Sequence, residues 1–599
     1  MSRTRTTRWR LASPVGRMRV LLLCLAIVFS LCAGRVLQIQ AFDAQAYATT
    51  AAEAMQQSRR LPALRGEFVD RYGSVLAYTE QTVKVYADPK SISRNGKINQ
   101  EMTERDKEIA AAAPGRIAEI LARHLGNTPE SYLPRLTDTK SSYKVIAKKV
   151  PAETFARIQE EMTEAKLIGL NRETAPSRRY PNGALAANVL GWVNEQGDAA
   201  GGLELVLEKQ LKGTDGKEVF DSSPNGKIPL GDNVLVPAQN GRNVGLTLDG
   251  TLQLQAEQRI AKLLADTGAE AGVVIVMDVR TGELLVMANG PSFDSNEPGK
   301  GDLDNMGNRA ATNVFEPGSV QKILTFAAMM DAGKVKADDK VEIPPYIKHD
   351  QYKIKDAWSH GDITLRARGV FAKSSNVGTI TLARTMPKQQ LRDYYASFGL
   401  GKRTNIGLLG EAQGYLPPAT MPDYARDGIS FGTSLSVTAL QNAAAVASVV
   451  NGGVYHAPTI VSTMDGKPYT RPGQDTTPRR VIAESTSEQV RSLMEQQALN
   501  QKSAAFTIDG YRLGAKTGTA RLVSADCKCY RGESVVSTVG VAPIEDPQLL
   551  VYSVVWNPKR GGSSGSAVAA PMMHDIMALA LPRYAVTPST SKGVKLPLE

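Results

Sequence analysis

Phe315-Glu316-Pro317-Gly318-Ser319-Val320-Gln321-Lys322 is the stretch whose reading decides the fold. Pro317 and Gly318 punctuate the chain, and Ile323, Leu324, Phe326, Ala327 and Met330 follow at helical spacing. Ser319 is therefore expected at a helix N-terminus, with Lys322 one turn later on the same face. A serine hydroxyl is a weak nucleophile at neutral pH and needs a base. A lysine can serve if burial or a nearby positive charge leaves its amine neutral. The helix start also offers a backbone N–H to a developing oxyanion. Alone, the spacing is a weak signal. A helix cap plus a surface lysine is the ordinary reading, and Ser141-Ser142-Tyr143-Lys144 repeats the spacing in a segment that alternates like a strand.

Two further elements change the odds. Lys373-Ser374-Ser375-Asn376 places Ser374-x-Asn376 after an apolar helical segment, although Ser223-Pro224-Asn225 matches the same pattern in a turn. Gly514-Ala515-Lys516-Thr517-Gly518-Thr519-Ala520 stands inside a predicted strand. Glycine within a strand marks close approach of another backbone, and a peptide substrate lying along that strand would be such a partner. Lys516 adds positive charge, and Thr517 and Thr519 add hydroxyls, a set suited to a carboxylate. The three motifs occur in one order and in three contexts: helix start, loop of a helical block, and sheet strand.

Outward from these motifs, Ala271–Asp278 and Glu283–Ala288 flank a Thr281-Gly282 turn and read as a buried hairpin. Thr251–Leu264 has helical periodicity, and helices dominate up to about Gly453. Strands return at Arg512–Val523, Ser534–Ala542 and Leu549–Trp556, before a helix at Ala567–Leu579. A sheet built from both ends with a helical block between them is α+β architecture. Upstream, Ala41–Arg60 reads as an alanine-rich helix broken at Pro62. Arg65–Ala77 reads as two strands around a Tyr72-Gly73 turn, and Ile109–Leu125 as an amphipathic helix. The expected organisation is a cytoplasmic tail over residues 1–17, an anchor over 18–39, an elongated mixed pedestal over 40–240, a catalytic domain over 241–585 and a tail over 586–599.

Arg3, Arg5, Arg8, Arg10, Arg17 and Arg19 precede the apolar run Val20–Gly34, with no acid among them. Such a flank keeps that end in the cytoplasm. Continuation through Val36, Leu37 and Ile39, with Arg35 snorkelling, extends the run towards a spanning length. No convincing small-x-small cleavage site follows Gly34, and Cys24 and Cys32 each follow a leucine, so an uncleaved anchor is favoured over a signal peptide or a lipoprotein. The formal net charge of +11 reads first as a solvated basic surface, with attraction to anionic lipid or an anionic wall polymer as the functional alternative. Nucleic acid is excluded as a partner, because the densest basic cluster abuts the apolar segment and no recognition motif occurs. Cys527 and Cys529 are one residue apart, where a disulfide would be strained and a metal would lack ligands. The pair is assigned no catalytic role.

The trio Ser-x-x-Lys, Ser-x-Asn and Lys-Thr-Gly resembles the signature of penicillin-binding proteins and class A β-lactamases. Arg65-Gly66 through Asp70-Arg71 and Gly73, then Arg179-Tyr180-Pro181 and Gly202-Leu203-Glu204, resemble the boxes of the non-penicillin-binding domain of class B penicillin-binding proteins. Asn289–Phe315, the Ser430-Phe431-Gly432 segment and Thr538–Pro543 resemble transpeptidase elements, and the likeness runs from about residue 18 to 582. Ser374-Ser375-Asn376-Val377-Gly378 and Ser430-Phe431-Gly432 look like the division-type members rather than the elongation-type ones.

The resemblance implies a transmembrane helix, a pedestal and a serine β-lactamase-like transpeptidase domain of sheet plus helical block. It implies a peptidoglycan D,D-transpeptidase, inhibited by β-lactams, in which Ser319 attacks the penultimate D-alanine of a stem pentapeptide and Lys322 takes its proton. Ser374, with Lys516, relays a proton to the departing D-alanine, and Asn376 orients Lys322 and the substrate amide. Lys516, Thr517 and Thr519 hold the terminal carboxylate beside Gly518, and the N–H groups of Ser319 and Thr519 form the oxyanion hole. It implies no metal or organic cofactor. The partners it implies are stem peptides on lipid-linked nascent glycan, a SEDS-family glycosyltransferase and divisome proteins, at the cell membrane with the catalytic domain outside. The spacers Val320 and Gln321 depart from a common Ser-Thr-x-Lys pattern, and the strip after Thr519 contains the unusual loop Cys527-Lys528-Cys529, which leaves substrate preference there open. Rival readings are an elongation-type enzyme, a wall or β-lactam sensor without turnover, and a β-lactamase. The last would need a deacylating glutamate, which is not identified, and would not need some 200 residues ahead of its catalytic domain. No paired-acid motif of a glycosyltransferase follows the anchor, and no nucleophile-elbow serine accompanies the five histidines.

Overall fold

The computed structural model describes residues 13–43, 45, 56–97, 101–223, 226–227, 234–349, 352–523 and 529–599. The chain divides into two compact units, one of residues 1–63 and 214–239, the other of 64–213 and 240–599. In the first, a helix runs over Pro14–Leu37 and continues as a π-helical turn over Gln38–Phe42. Ser13 caps its start by accepting a hydrogen bond from Gly16 N, and Pro14 suits the first turn because its missing N–H has no intrahelical partner there. Among the described residues, this is the one helix long and apolar enough to cross a membrane. Arg3, Arg5, Arg8 and Arg10 lie outside the described residues.

The helix expected over Ala41–Arg60 holds only at its start, where Ala41 and Phe42 close the π-helical turn and Gln45 is helical. Gln56–Leu61 is a strand, antiparallel to Gly216–Ser223, with Arg60 opposite Lys217; the segment 46–55 lies outside the described residues. Val234–Val236 pairs with the other edge of Gly216–Ser223. Pairing with a distant segment overrides the local helical preference, a contest that short-range reading cannot see.

The second unit is organised on an antiparallel five-stranded sheet. Its order is Leu284–Gly290, Ala271–Asp278, Leu549–Trp556, Tyr530–Ala542 and Gly514–Val523. Strand side chains alternate between faces, and here both faces are covered. Val274, Val276 and Val551 pack with helices Gly250–Thr267 and Gly565–Arg583, while Val273, Ile275 and Tyr552 pack with the helical block. Burial on both faces accounts for the near-continuous valine and isoleucine runs.

A second sheet runs Lys467–Pro468, Val461–Met464, Val244–Leu246, Phe68–Val69, Val75–Glu80 and Ser177–Arg179, so it draws strands from both sides of residue 240. Asp70 joins the same regions: Oδ1 accepts from Tyr72 N and Ser74 N in the turn, and Oδ2 accepts from Gly250 N, 3.1 Å away. The three sequence boxes of this region meet on one buried carboxylate. Glu204 is 0% exposed and accepts from Arg65 Nε at 2.5 Å, Arg178 Nε at 2.7 Å and Tyr180 Oη at 3.1 Å. Arg65 also pairs with Glu208.

Two cations held by one buried carboxylate leave little slack, because removing one member strands the others' charges in a low-dielectric interior. Glu204→Ala is expected to destabilise this unit by about 3–5 kcal/mol. A denaturant midpoint within error of wild type would contradict that role for Glu204.

Candidate active site

Ser319 stands where the helical pattern places it, with one refinement. Gly318–Gln321 is a single 3₁₀ turn, and the α-helix proper runs over Lys322–Asp331. Gly318 has φ 55°, a left-handed conformation that glycine adopts without steric penalty. A Cβ on it would lie 2.7 Å from Thr519 O, and a Cβ on Gly432 would lie 1.8 Å from Gly318 O. Gly318 N donates to Gly432 O at 3.0 Å. The serine-bearing turn is therefore wedged between the Lys-Thr-Gly strand and the end of helix Asp423–Phe431.

Lys322 is 0% exposed, and its Nζ donates to Ser374 O at 2.7 Å, Ser374 Oγ at 3.2 Å and Asn376 Oδ1 at 2.8 Å. Lys516 is equally buried and donates to Ser374 Oγ at 2.9 Å. One hydroxyl thus joins two buried amines from separate motifs. Burial, reinforced by the charge of Lys516, holds the Lys322 amine well below its ordinary pKa, against a smaller upward pull from Asp356. Burial alone lowers Lys516 to about 7. Ser319 is half-buried, and no hydrogen bond joins its hydroxyl to Lys322. Such contacts are often loose before substrate binds.

Gly514–Val523 lies at the edge of the five-stranded sheet, so one side of its backbone is free of strand partners in this sheet. Thr517 is half-buried and Thr519 exposed, two residues apart and hence on one face. Gly518 is required by close approach: a Cβ there would lie 2.6 Å from Ser537 Oγ and 2.8 Å from Pro317 O. The arrangement can deprotonate a serine, shuttle a proton through Ser374, and receive an extended chain ending in a carboxylate. Among the described residues, no group of three or more His, Cys, Asp or Glu side chains converges as a metal site would need.

Ser141 and Lys144 do not join this site. Ser141 Oγ bonds to Tyr143 in a turn, and Lys144 pairs with Asp138. Of Ser223-Pro224-Asn225, Ser223 ends a strand and the other two residues lie outside the described ones. Cys529 is disulfide-bonded, and Cys527 lies outside the described residues. Sequence reading missed Asp356. Its carboxylate is 0% exposed and accepts from Ser375 Oγ at 2.6 Å, Asn376 N at 2.5 Å and Val377 N at 2.9 Å, and it contacts His360 Nε2 at 3.0 Å. It thereby caps helix Asn376–Ala383 and holds Ser374, a non-glycine residue at φ 57°. No motif marks it, because the aspartate meets the turn only in the folded chain.

Asp356→Leu is expected to slow reaction of a β-lactam with the site by roughly a hundredfold, since small misplacements of reacting groups have effects of that size. An unaltered rate with the variant folded would remove Asp356 from this account.

Residues 272–578 match the family model of the penicillin-binding protein transpeptidase domain, and residues 60–246 match that of the penicillin-binding protein dimerisation domain. The chain is 31% identical to penicillin-binding protein PbpB of Mycolicibacterium smegmatis, an alignment covering 100% of this chain and 96% of that one. It is also 31% identical to the peptidoglycan D,D-transpeptidase FtsI of Escherichia coli, covering 95% of this chain and 91% of that protein. Among solved structures, penicillin-binding protein 3 of Mycobacterium tuberculosis in complex with aztreonam superposes with a TM-score of 0.67 at 27% identity, covering 90% of this chain and 100% of that one. With a transpeptidase fold, three motifs meeting around Ser374 and relatives matched over nearly their whole length, the chain belongs to the class B penicillin-binding proteins.

Proposed function

We propose that the protein is a division-type peptidoglycan D,D-transpeptidase that cross-links stem peptides through an acyl-enzyme on Ser319. The observation that carries this reading is the pair of buried amines, Lys322 and Lys516, bonded to the same Ser374 hydroxyl beside the serine-bearing turn. Two neighbouring ammonium groups with a single carboxylate, Asp356, nearby are unfavourable at full burial, so one amine is held neutral and available as a base.

Ser319 Oγ attacks the carbonyl carbon of the penultimate D-alanine as neutral Lys322 accepts its proton. The oxyanion forms against the backbone N–H groups of Ser319 and Thr519, in the oxyanion-hole arrangement of acyl transfer. Collapse breaks the peptide C–N bond, and the leaving D-alanine nitrogen takes a proton through Ser374. The products are an ester on Ser319 and free D-alanine. An amine of a second stem peptide then attacks the ester, gives up its proton by the same route, and Ser319 leaves as the restored hydroxyl. Lys516, Thr517 and Thr519 hold the donor's terminal carboxylate beside Gly518, while Asn376 fixes Lys322. A β-lactam enters the first half of this cycle, because its strained amide presents the same carbonyl and carboxylate.

The division-type role, rather than an elongation role, rests on the similarity to FtsI and PbpB. The domain organisation read from the sequence is kept as part of the proposal: anchor, pedestal and transpeptidase domain. So is a single pass through the cell membrane with the N-terminus in the cytoplasm, the membrane side that an arginine-rich flank favours. A SEDS-family glycosyltransferase and divisome proteins are the proposed partners, docking on the anchor and pedestal. If the anchor is exchanged for an unrelated span, co-purification with the glycosyltransferase is expected to fall; undiminished recovery would exclude the anchor as a docking surface.

Fluorescent penicillin tests the chemistry. Wild type is expected to label, Ser319→Ala not at all, and Lys322→Ala about a thousandfold more slowly, within the range attributed to a general base. The wild-type rate should rise with pH through the depressed pKa of Lys322. It should fall as Lys516, lowered to about 7, loses the proton that attracts the ligand's carboxylate. Label on Ser319→Ala would overturn the nucleophile assignment. Cross-linked product from purified lipid-linked substrate separates an enzyme from a sensor, which would label without forming it.

A further inference from the structure

The final residues of the chain run back across the catalytic fold. Tyr511 Oη donates to Val586 O at 2.7 Å, and Arg512 N donates to Ser589 Oγ at 2.9 Å. Further on, Gln496 of helix Glu484–Leu499 donates to Val594 O and accepts from Leu596 N, both at 2.8 Å. Arg366 then donates from its backbone N to Leu598 O at 2.9 Å and from Nε to Glu599 O at 3.0 Å. Lys373 Nζ, immediately before Ser374, reaches Glu599 Oε1 at 2.9 Å.

Two features mark this path as a built seat rather than a chance covering. Gln496 is 1% exposed, and each end of its amide bonds to the tail backbone; without the tail those bonds would be lost. A Cβ at Gly369 would lie 2.1 Å from Leu598 O, so the surface of helix Ala367–Ala372 is bare where the tail crosses it. The Lys373–Glu599 pair is too exposed, at 38% and 73%, to anchor the tail alone. The backbone contacts carry it.

The position of the seat gives it a consequence. Helix Ala367–Ala372 leads directly into Lys373-Ser374-Ser375-Asn376, and helix Glu484–Leu499 packs both on it and on strand Gly514–Val523, which carries Lys516. The tail crosses the seam between these two helices. We infer that Val594–Glu599 is a strap that positions the Ser374–Asn376 turn against Lys322 and Lys516, and thereby sets the rate at which Ser319 is acylated. This rests on Ser319 being the acylated residue. The strap residues touch no reacting atom and act only through the turn they hold.

The test compares the full-length chain in detergent with a version lacking Val594–Glu599, by the rate of fluorescent penicillin acylation. The truncated chain is expected to react about tenfold more slowly, a modest share of what misplaced catalytic groups can lose. The synthetic peptide Val-Lys-Leu-Pro-Leu-Glu, added in millimolar excess, should restore part of the rate, which a general loss of stability would not allow. Gly369→Ala with the tail intact should slow acylation likewise, because it displaces Leu598. In the truncated chain the same substitution should add nothing. Unslowed acylation of the truncated chain, or of Gly369→Ala should truncation prevent folding, would overturn the strap, as would failure of the peptide to rescue. Ser319→Ala run alongside keeps the two inferences apart: label on that variant refutes the nucleophile, whereas an unslowed truncated chain refutes the strap alone.

Discussion

Everything at the site depends on two lysines buried in contact with one hydroxyl. Lys322 and Lys516 are both 0% exposed, come from segments almost two hundred residues apart, and meet on Ser374 Oγ. A protonated amine at such depth is unfavourable unless it is hydrogen-bonded and compensated. Ser374 O, Asn376 Oδ1 and Thr517 O supply bonds, and Asp356 supplies a nearby negative charge behind the Ser374 turn. With one carboxylate near two amines, the site is poised to hold fewer than two protons on them. That is the condition for a lysine to act as a base at neutral pH.

Keeping the lysines together is a matter of backbone approach. Gly318, Gly432 and Gly518 let the serine-bearing turn, the end of helix Asp423–Phe431 and the edge strand come closer than any Cβ would allow. Behind them, the sheet is covered on both faces, so the edge strand cannot drift without disturbing two cores. Farther out, Asp70 ties the upstream region to Gly250, while Glu204 gathers Arg65, Arg178 and Tyr180 within that region.

What could be read from the amino acids alone follows from range. Ala271–Asp278 and Leu549–Trp556 were legible to the residue, since near-continuous apolar runs report burial on both faces. Ser319, Lys322, Ser374, Asn376 and Lys516 were picked out as a set by likeness to a family signature, since each motif is a weak local signal by itself, and the fold brings Lys322, Ser374, Asn376 and Lys516 into contact. The decoy at Ser141–Lys144 was set aside for a strand-like context, although of these four residues only Lys144 lies in a strand, Lys144–Pro151. Asp356 was not legible: an aspartate eighteen positions before Ser374 carries no local mark of the turn it will cap. The strand at Gln56–Leu61 was misread as helix for the same reason, its partner being Gly216–Ser223. The seat of Val594–Glu599 was likewise hidden, since a Pro- and Ser-bearing tail looks solvated until Gln496 and Gly369 are seen beneath it.

The exposed edge of Gly514–Val523 is the last step in this chain of dependence. An unpaired strand edge is an aggregation hazard that folds usually cover. Here Gly518 rests against Pro317, and Gly565 N lies within 3.4 Å of Thr519 Oγ1, so neighbouring elements close around the strand without adding another strand to the sheet. Thr519 stays exposed and Thr517 half-exposed on one face, beside Lys516. An edge left free next to a basic amine favours an extended chain that ends in a carboxylate over another sheet edge, because only the former satisfies both the backbone and the charge. On this view selectivity begins with the outer edge of the strand, which has no strand partner among the described residues, and is completed by the cation beneath it.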